Sequence, residues 1–532
     1  MSRLDNFESK DLMEQVAILS SLDPEKDQEC IPDIISLLEK IPGHEAIVLV
    51  LRDTLKKLFS RSEEYTRRYL THENRDIRKI CIETAGRSKF ASAQPVLQNI
   101  ARQATERKDR KILFDVIYAL SQIQPESSIE LFRRYVDYED TPISSLCIEI
   151  LGSLNDAATF ERMRGIISEA ESDSSGGLCD LPTASAISAL STFTGKDAIS
   201  YFISQLHHRN PGVRRQIHHE LSRKGSEAIG ALGSVFASDS VDSKIFAANI
   251  LGVIGTKESG EELVRAMDAS RNAHPNIRYA IYEALGWSSG MSSLVCLADG
   301  LTETDQMVLL AVMSSLGMHL NQWILDRIAE IIRKGTDHGR MIVKAIIASG
   351  SMKIFEGLYR ADEEIASMLI EEMKRSGNAD HISQCREILA AMDSERARAD
   401  INSLKEVSPI GAGPHILAVD DSRAMLNFYK SVAASLKMDI TTAQHGREAL
   451  DIMAEGNRFD LIITDMNMPV MDGVEFTRQV RRDPAYSDVP IIMITTESER
   501  SQQDLARNAG VDQFMLKPFD AEKLQKKITS CL

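Results

Sequence analysis

Phe459–Gly473 reads FDLIITDMNMPVMDG, an apolar run that ends directly on a charged side chain. Leu461, Ile462 and Ile463 read as a strand buried on both faces, and the chain then meets Asp465. A lone carboxylate at the end of a buried strand is costly unless something pairs with it. Pro469 and Gly473 mark a turn beyond it, and a helix is expected to start near Asp472.

On either side of this stretch, short apolar runs alternate with helical patterns. The strands read HILAVD (415–420), DITTA (439–443), DLIIT (460–464), PIIMIT (490–495) and QFMLK (513–517). Helices are expected at 422–436, 446–455, 472–482, 499–509 and 520–530. Such alternation implies an α/β domain, a parallel sheet covered on both faces. In such sheets functional groups gather at the carboxyl ends of the strands. That rule brings together Asp420 and Asp421, Asp465, Thr495 and Lys517, which are far apart in the chain. Three crowded carboxylates repel and raise at least one pKa unless cations intervene. Mg²⁺, satisfied by one or two carboxylates, a carbonyl and waters, would relieve them. Acid nucleophile, metal, ammonium and hydroxyl together suit an incoming phosphoryl group.

These residues, DD, D…MPxMDG, T and KPF in order, resemble the response-regulator receiver domain of two-component signalling. The resemblance implies a doubly wound (βα)5 flavodoxin-like fold over 414–532. It also implies that Asp465 accepts a phosphoryl group, and that Asp421, Asp465 and the Asn467 carbonyl hold Mg²⁺, with Asp420 touching a metal-bound water. By the same resemblance Lys517 pairs with the phosphate, Thr495 moves to hydrogen-bond it, and Phe514 is the aromatic switch. Asn467 and Glu497 are placed to guide attacking water. Thr496 is bulkier than the alanine or glycine usual there, so these three tune the acylphosphate lifetime.

Residues 1–400 carry little strand character. A phrase recurs instead, in IETAG, IYALS, IEILG, ISALS, HHELS, YEALG and IIASG, and its closing small residue returns every 30 to 39 residues from Gly86 to Gly350. Such a period marks a repeat architecture. NRDIRKICIETAG and HPNIRYAIYEALG have apolar residues at i, i+3, i+4 and i+7, the spacing of one buried helix face. One helix pair cannot bury that face alone, so pairs stack into a solenoid. The array resembles HEAT repeats, whose xVRxxAxxALG phrase is matched at Ile77-Arg78, Val213-Arg214 and Ile277-Arg278. About ten repeats with C-terminal capping helices are expected, then a linker over 401–413, marked by Pro409, Gly411 and Gly413. The polar loop ESDSSGGLCDLP (171–182) divides the array into two halves in this reading.

The chain has 532 residues and a net charge of −16, which argues against a nucleic-acid or anionic-membrane surface. No apolar run is long enough for membrane insertion. Seven scattered cysteines and a polar N-terminus suggest reduced thiols in a cytoplasm. The expected function is a response regulator, not an enzyme, that switches protein–protein interactions of the array. Its expected partners are a histidine kinase or phosphotransfer protein as phosphodonor, an unidentified protein on the array, and a second receiver in a homodimer. Two alternatives stand beside it. One is a metal-dependent array of di-iron type using the pairs His44-Glu45, His72-Glu73 and His219-Glu220 or the doublets His207-His208 and His218-His219. The other is a receiver serving as a phosphate sink.

Overall fold

The computed structural model describes residues 3–4, 6–41, 46–170, 179–193, 196–270, 273–392, 394–405, 413–495 and 500–532. The region before Lys405 is all-α among the described residues, and the strands follow from His415 onward. Of the expected linker and dividing loop, 406–412 and 171–178 lie outside the described residues.

Helix pairs build the first region. Arg75–Arg87 is followed by Gln94–Glu106, Val241–Ile254 by Lys257–Ser270, and Pro275–Trp287 by Met291–Asp299. The first helix of a pair is opened by a side chain that accepts a backbone N–H, as with Asn74, Asp140, Asn210 and Asp305. Each such cap contributes about 1 kcal/mol. The arginine of the recurring phrase reaches back to the preceding turn. Arg78 donates to the His72 carbonyl at 3.1 Å, and Arg214 to the His208 carbonyl at 2.9 Å.

First helices stack on first helices, Arg75–Arg87 on Arg110–Ile123 and Val241–Ile254 on Pro275–Trp287. The closing small residue sets how closely they approach. A Cβ on Gly86 would lie 2.9 Å from Ala119 Cα, and one on Gly152 would lie 2.5 Å from Ala189 Cβ. Gly350 acts differently, ending its helix in the left-handed region at φ 69°. This stacking suggests a HEAT-like array.

The chain forms two compact units, one of Met1–Ala170 with Cys179–Ala198, the other containing Ile199–Leu532. The second unit therefore holds the later helix pairs and the sheet domain together. Its sheet has five parallel strands, β1 (His415–Val419), β2 (Asp439–Ala443), β3 (Leu461–Asp465), β4 (Ile491–Thr495) and β5 (Gln513–Leu516), in the order β2-β1-β3-β4-β5. This is a doubly wound sheet with its topological switch point between β1 and β3. Asp465 belongs to the strand itself and pairs in register with Ile494. Ile416, Ala418, Ile463 and Ile494 pack on one side, and Leu417, Val419, Ile462 and Ile491 on the other.

The first of these clusters extends into the helical region. Met307 and Leu310, on the Gln306–Met318 helix, are 4% and 2% exposed and pack in one cluster with Ala424, Met425 and Tyr429 of the Arg423–Ser435 helix. Burying such side chains stabilises by about 1.5–3 kcal/mol each. Around them Asn427 donates to the Ser349 carbonyl at 2.9 Å, and Lys430 to Asp380 at 2.6 Å.

Two glycine substitutions should move stability in opposite directions. Gly152→Ala forces a methyl into Ala189 and is expected to cost about 1–3 kcal/mol in denaturant unfolding. Gly230→Ala, an exposed helix position where a Cβ meets nothing within 4 Å, should instead stabilise by about 0.5–1 kcal/mol.

Candidate functional site

Asp465 is delivered to the carboxyl edge of the sheet by β3 and is 7% exposed. Its Oδ1 accepts from Lys517 Nζ at 2.7 Å, and its Oδ2 from the Asn467 backbone N–H at 2.8 Å. Lys517, just past β5, also reaches Asp420 Oδ2 at 3.3 Å. Asp420 is fully buried after β1 and accepts further from the Ser422 N–H at 2.9 Å and from the Tyr429 hydroxyl at 3.0 Å. Thr495 closes β4 at 1% exposure, and its carbonyl accepts from the Lys517 N–H at 2.9 Å. The fold thus brings together Asp420, Asp421, Asp465, Thr495 and Lys517.

The loop after Asp465 is shaped by close backbone approach. A Cβ on Gly473 would lie 2.1 Å from the Asp465 carbonyl oxygen, so only glycine fits there. Between them the Met471 N–H bonds the Pro469 carbonyl at 2.6 Å across Val470, whose φ is 64°. This is a γ-turn of the strained hand, at a β-branched residue. Asp472 caps the Gly473–Arg482 helix by accepting from the Glu475 N–H.

Electrostatics follow from crowding. Burial pushes the Asp465 carboxyl up to about 6; Lys517 pulls it down and Asp420 raises it again. Burial alone would lower the Lys517 ammonium, but Asp420 and Asp465 outweigh it and hold its pKa well above the ordinary value. Asp421 presents an open surface yet sits in a recess ringed by protein. That partial desolvation, followed by Asp420, Asp465 and Glu283, raises its pKa strongly.

Glu283 was not anticipated as part of this site, nor were Asn276, Tyr279 and Arg215. All four come from the helical region. Asn276 Nδ2 donates to the Lys517 carbonyl at 2.6 Å, and the Tyr279 hydroxyl lies 3.1 Å from Ser422 Oγ. Arg215 forms an ion pair with Asp472. Asn276, Tyr279 and Glu283 share one helix face, beside the stripe Ile277, Ala280, Ile281, Ala284 and Leu285, which is a pattern any solvent-side face would also show.

Other expected residues stand as follows. It is the Asn467 N–H that bonds Asp465. Phe514 is half-buried on β5 beside Ala506, Ala509 and Val511, with the Arg507 guanidinium 5.7 Å from its ring. Thr496 and Glu497 lie outside the described residues, as do His44 and Glu45. The remaining histidines of the array make local contacts. His72 Nδ1 and His208 Nδ1 each accept a backbone N–H two residues on, His207 bonds Ser243, and burial lowers His218 to about 4. His219 lies 3.7 Å from Glu220, which pairs with Arg223. Among the described residues, no group of three or more His, Cys, Asp or Glu side chains is arranged to hold a metal ion, and no helix is long and apolar enough to cross a membrane.

A doubly wound sheet with acidic strand ends grouped around one lysine defines the class. The chain belongs to the response regulator receiver family, which it matches over residues 416–529. A chemotaxis protein CheY homolog of Campylobacter jejuni is 38% identical over 118 residues, 22% of this chain and 91% of that protein. Chemotaxis protein CheY of Pseudomonas aeruginosa is 40% identical over 114 residues, 21% of this chain and 91% of that protein. Among solved structures, the receiver domain of the sensor histidine kinase PA1611 from Pseudomonas aeruginosa holds a magnesium ion in its active site cleft. It is 30% identical, with 23% of this chain and 98% of that one covered, at a TM-score of 0.22.

The Asp465 shift carries a stability consequence. An unfolded aspartate loses its proton near 3.8, whereas the folded one keeps it to about 6. The folded state is favoured fully below the lower value, and that contribution is lost as pH rises through the upper one. Without divalent metal, ionised Asp465 then costs on the order of 1–3 kcal/mol. Asp465→Asn should raise the thermal midpoint at pH 8 and leave it unchanged at pH 4. A lower midpoint at pH 8 would mean that the Lys517 pair outweighs desolvation.

Proposed function

We propose that this chain is a non-enzymatic response regulator. Asp465 takes a phosphoryl group from a phosphohistidine of a histidine kinase or phosphotransfer protein, and the helical array is the output that binds a protein partner. The observation that supports this best is Asp465 itself, a buried carboxylate at a strand end with Lys517 Nζ at 2.7 Å and Asp420 beside that same ammonium.

The donor set fits Mg²⁺. The oxygens are hard ligands, and the three aspartates of the pocket face a single ammonium. Mg²⁺ keeps several waters and needs only one or two carboxylates, so a closed protein cage is not required. Asp421, Asp465 and the Asn467 carbonyl would hold the ion directly, and Asp420 through water. When bound, the ion supplies positive charge to the phosphoryl oxygens.

The chain's own residues do the rest. A carboxylate oxygen of Asp465 forms the bond to phosphorus while the bond from phosphorus to the donor's imidazole nitrogen breaks. The electron pair leaves with the imidazole. Lys517, held charged by Asp420 and Asp465, is placed to stabilise the charge developing on the transferred group. Thr495, on the adjacent strand end, offers a hydroxyl to the product phosphate. The γ-turn after Asp465 keeps the loop backbone close around it. The Asn467 N–H holds one carboxylate oxygen, which orients the other.

Acetyl phosphate with Mg²⁺ should add one phosphoryl group to the full chain, read by intact mass. Asp465→Asn should abolish it, and Lys517→Ala should lower the yield about tenfold or more. A phosphorylated Asp465→Asn protein would refute the assignment. Calorimetric Mg²⁺ affinity should fall by at least about tenfold per unit as pH drops below 6, because protons compete for Asp465 and for Asp421.

A further inference from the structure

The helical region does more than sit beside the receiver; it touches the loops at the ends of three strands. Asn276 holds the Lys517 carbonyl after β5, Tyr279 holds Ser422 after β1, and Arg215 holds the Asp472 side chain after β3. Any change of charge at Asp465 is felt first in those loops. The third residue on the same face of the Pro275–Trp287 helix is Glu283, which is half-buried; burial raises its pKa, Ser422 and Lys517 favour its charged form, and Asp420 and Asp465 oppose it. The chain thereby puts a fourth carboxylate into a pocket that already holds three.

We propose that the Pro275–Trp287 helix is a lid on the acid pocket, and that Glu283 makes the lid responsive to charge, so that docking of this helix and phosphorylation of Asp465 oppose each other. The inference rests on Asp465 being the phosphoryl acceptor. At formal charge, Lys517 and one divalent cation balance the three aspartates. Glu283 leaves one negative charge over. Conversion of the Asp465 carboxylate to an acyl phosphate dianion adds another beside it. Like charges in a partly desolvated pocket repel strongly, and the direct way to relieve them is for the receiver to draw away from the helix carrying Glu283, which stays packed between its neighbours in the array. Asn276 and Tyr279 then lose their partners on the receiver, and the face of the array beneath becomes available. Coupling of this kind is reciprocal at equilibrium, and a covered pocket admits the phosphodonor only in the fraction of molecules in which it is open.

The test uses the full chain in Mg²⁺ buffer with acetyl phosphate, following both the Asp465 acyl phosphate by mass and amide exchange across 275–287 and 306–318. Phosphorylation of the wild type should raise exchange in those helices. Glu283→Gln keeps the shape and removes the charge. It should be phosphorylated about fivefold faster or more, in proportion to the larger fraction of open pockets, with a smaller rise in exchange. Should that variant fold poorly, Asn276→Ala releases the Lys517 carbonyl without touching the charge and should also be phosphorylated faster. Equal or slower phosphorylation of the folded variants, with exchange in the wild type unchanged by phosphorylation, would overturn the lid. Loss of phosphorylation in every protein, wild type included, would instead sink the acceptor reading on which the lid rests.

Discussion

One ammonium among carboxylates organises this part of the molecule. Lys517 is partly buried with its Nζ between Asp465 and Asp420, and each of those aspartates is tied further, one to the Asn467 N–H and the other to Ser422 and Tyr429. Burying charge is unfavourable unless every charge is paired. The arrangement is tolerated because parallel strands deliver all of these groups to one edge, where backbone N–H donors are free to meet them. It is also incompletely compensated, which is what makes the site receptive to a cation and to a phosphoryl group.

The same imbalance reaches the helical region. The sheet domain shares an apolar cluster with Met307 and Leu310 and exchanges polar contacts with Asn276, Tyr279, Ser349 and Arg215. Apolar packing holds the two together without regard to charge. The polar contacts cluster at the acid pocket and are sensitive to it. Division of labour of this kind lets a small chemical change at one carboxylate bias a larger surface, because packed interfaces have discrete arrangements and do not deform continuously.

Much of the site was legible beforehand. Short apolar runs and β-α alternation indicate the sheet, and the rule for strand ends collects Asp420, Asp421, Asp465, Thr495 and Lys517 from the sequence. The recurring phrase reveals helix pairs because a buried stripe has a fixed period. Its small closing residue has two distinct uses, however. At Gly86 and Gly152 the next helix comes too close for a Cβ, whereas at Gly350 the backbone turns left-handed. Identical letters conceal that difference, since one use depends on a neighbour in space and the other on local φ.

What the sequence determined by itself was therefore local and periodic: which segments are strands and helices, and which side chains lie at strand ends. Only the tertiary structure decided what faces those side chains. Asn276, Tyr279 and Glu283 read as ordinary solvent-side positions of one repeat helix, because helical periodicity says which face is not buried in the stack but nothing about what covers it. That is settled by packing between segments 143 and 241 residues apart in sequence, and no local pattern encodes so distant a contact.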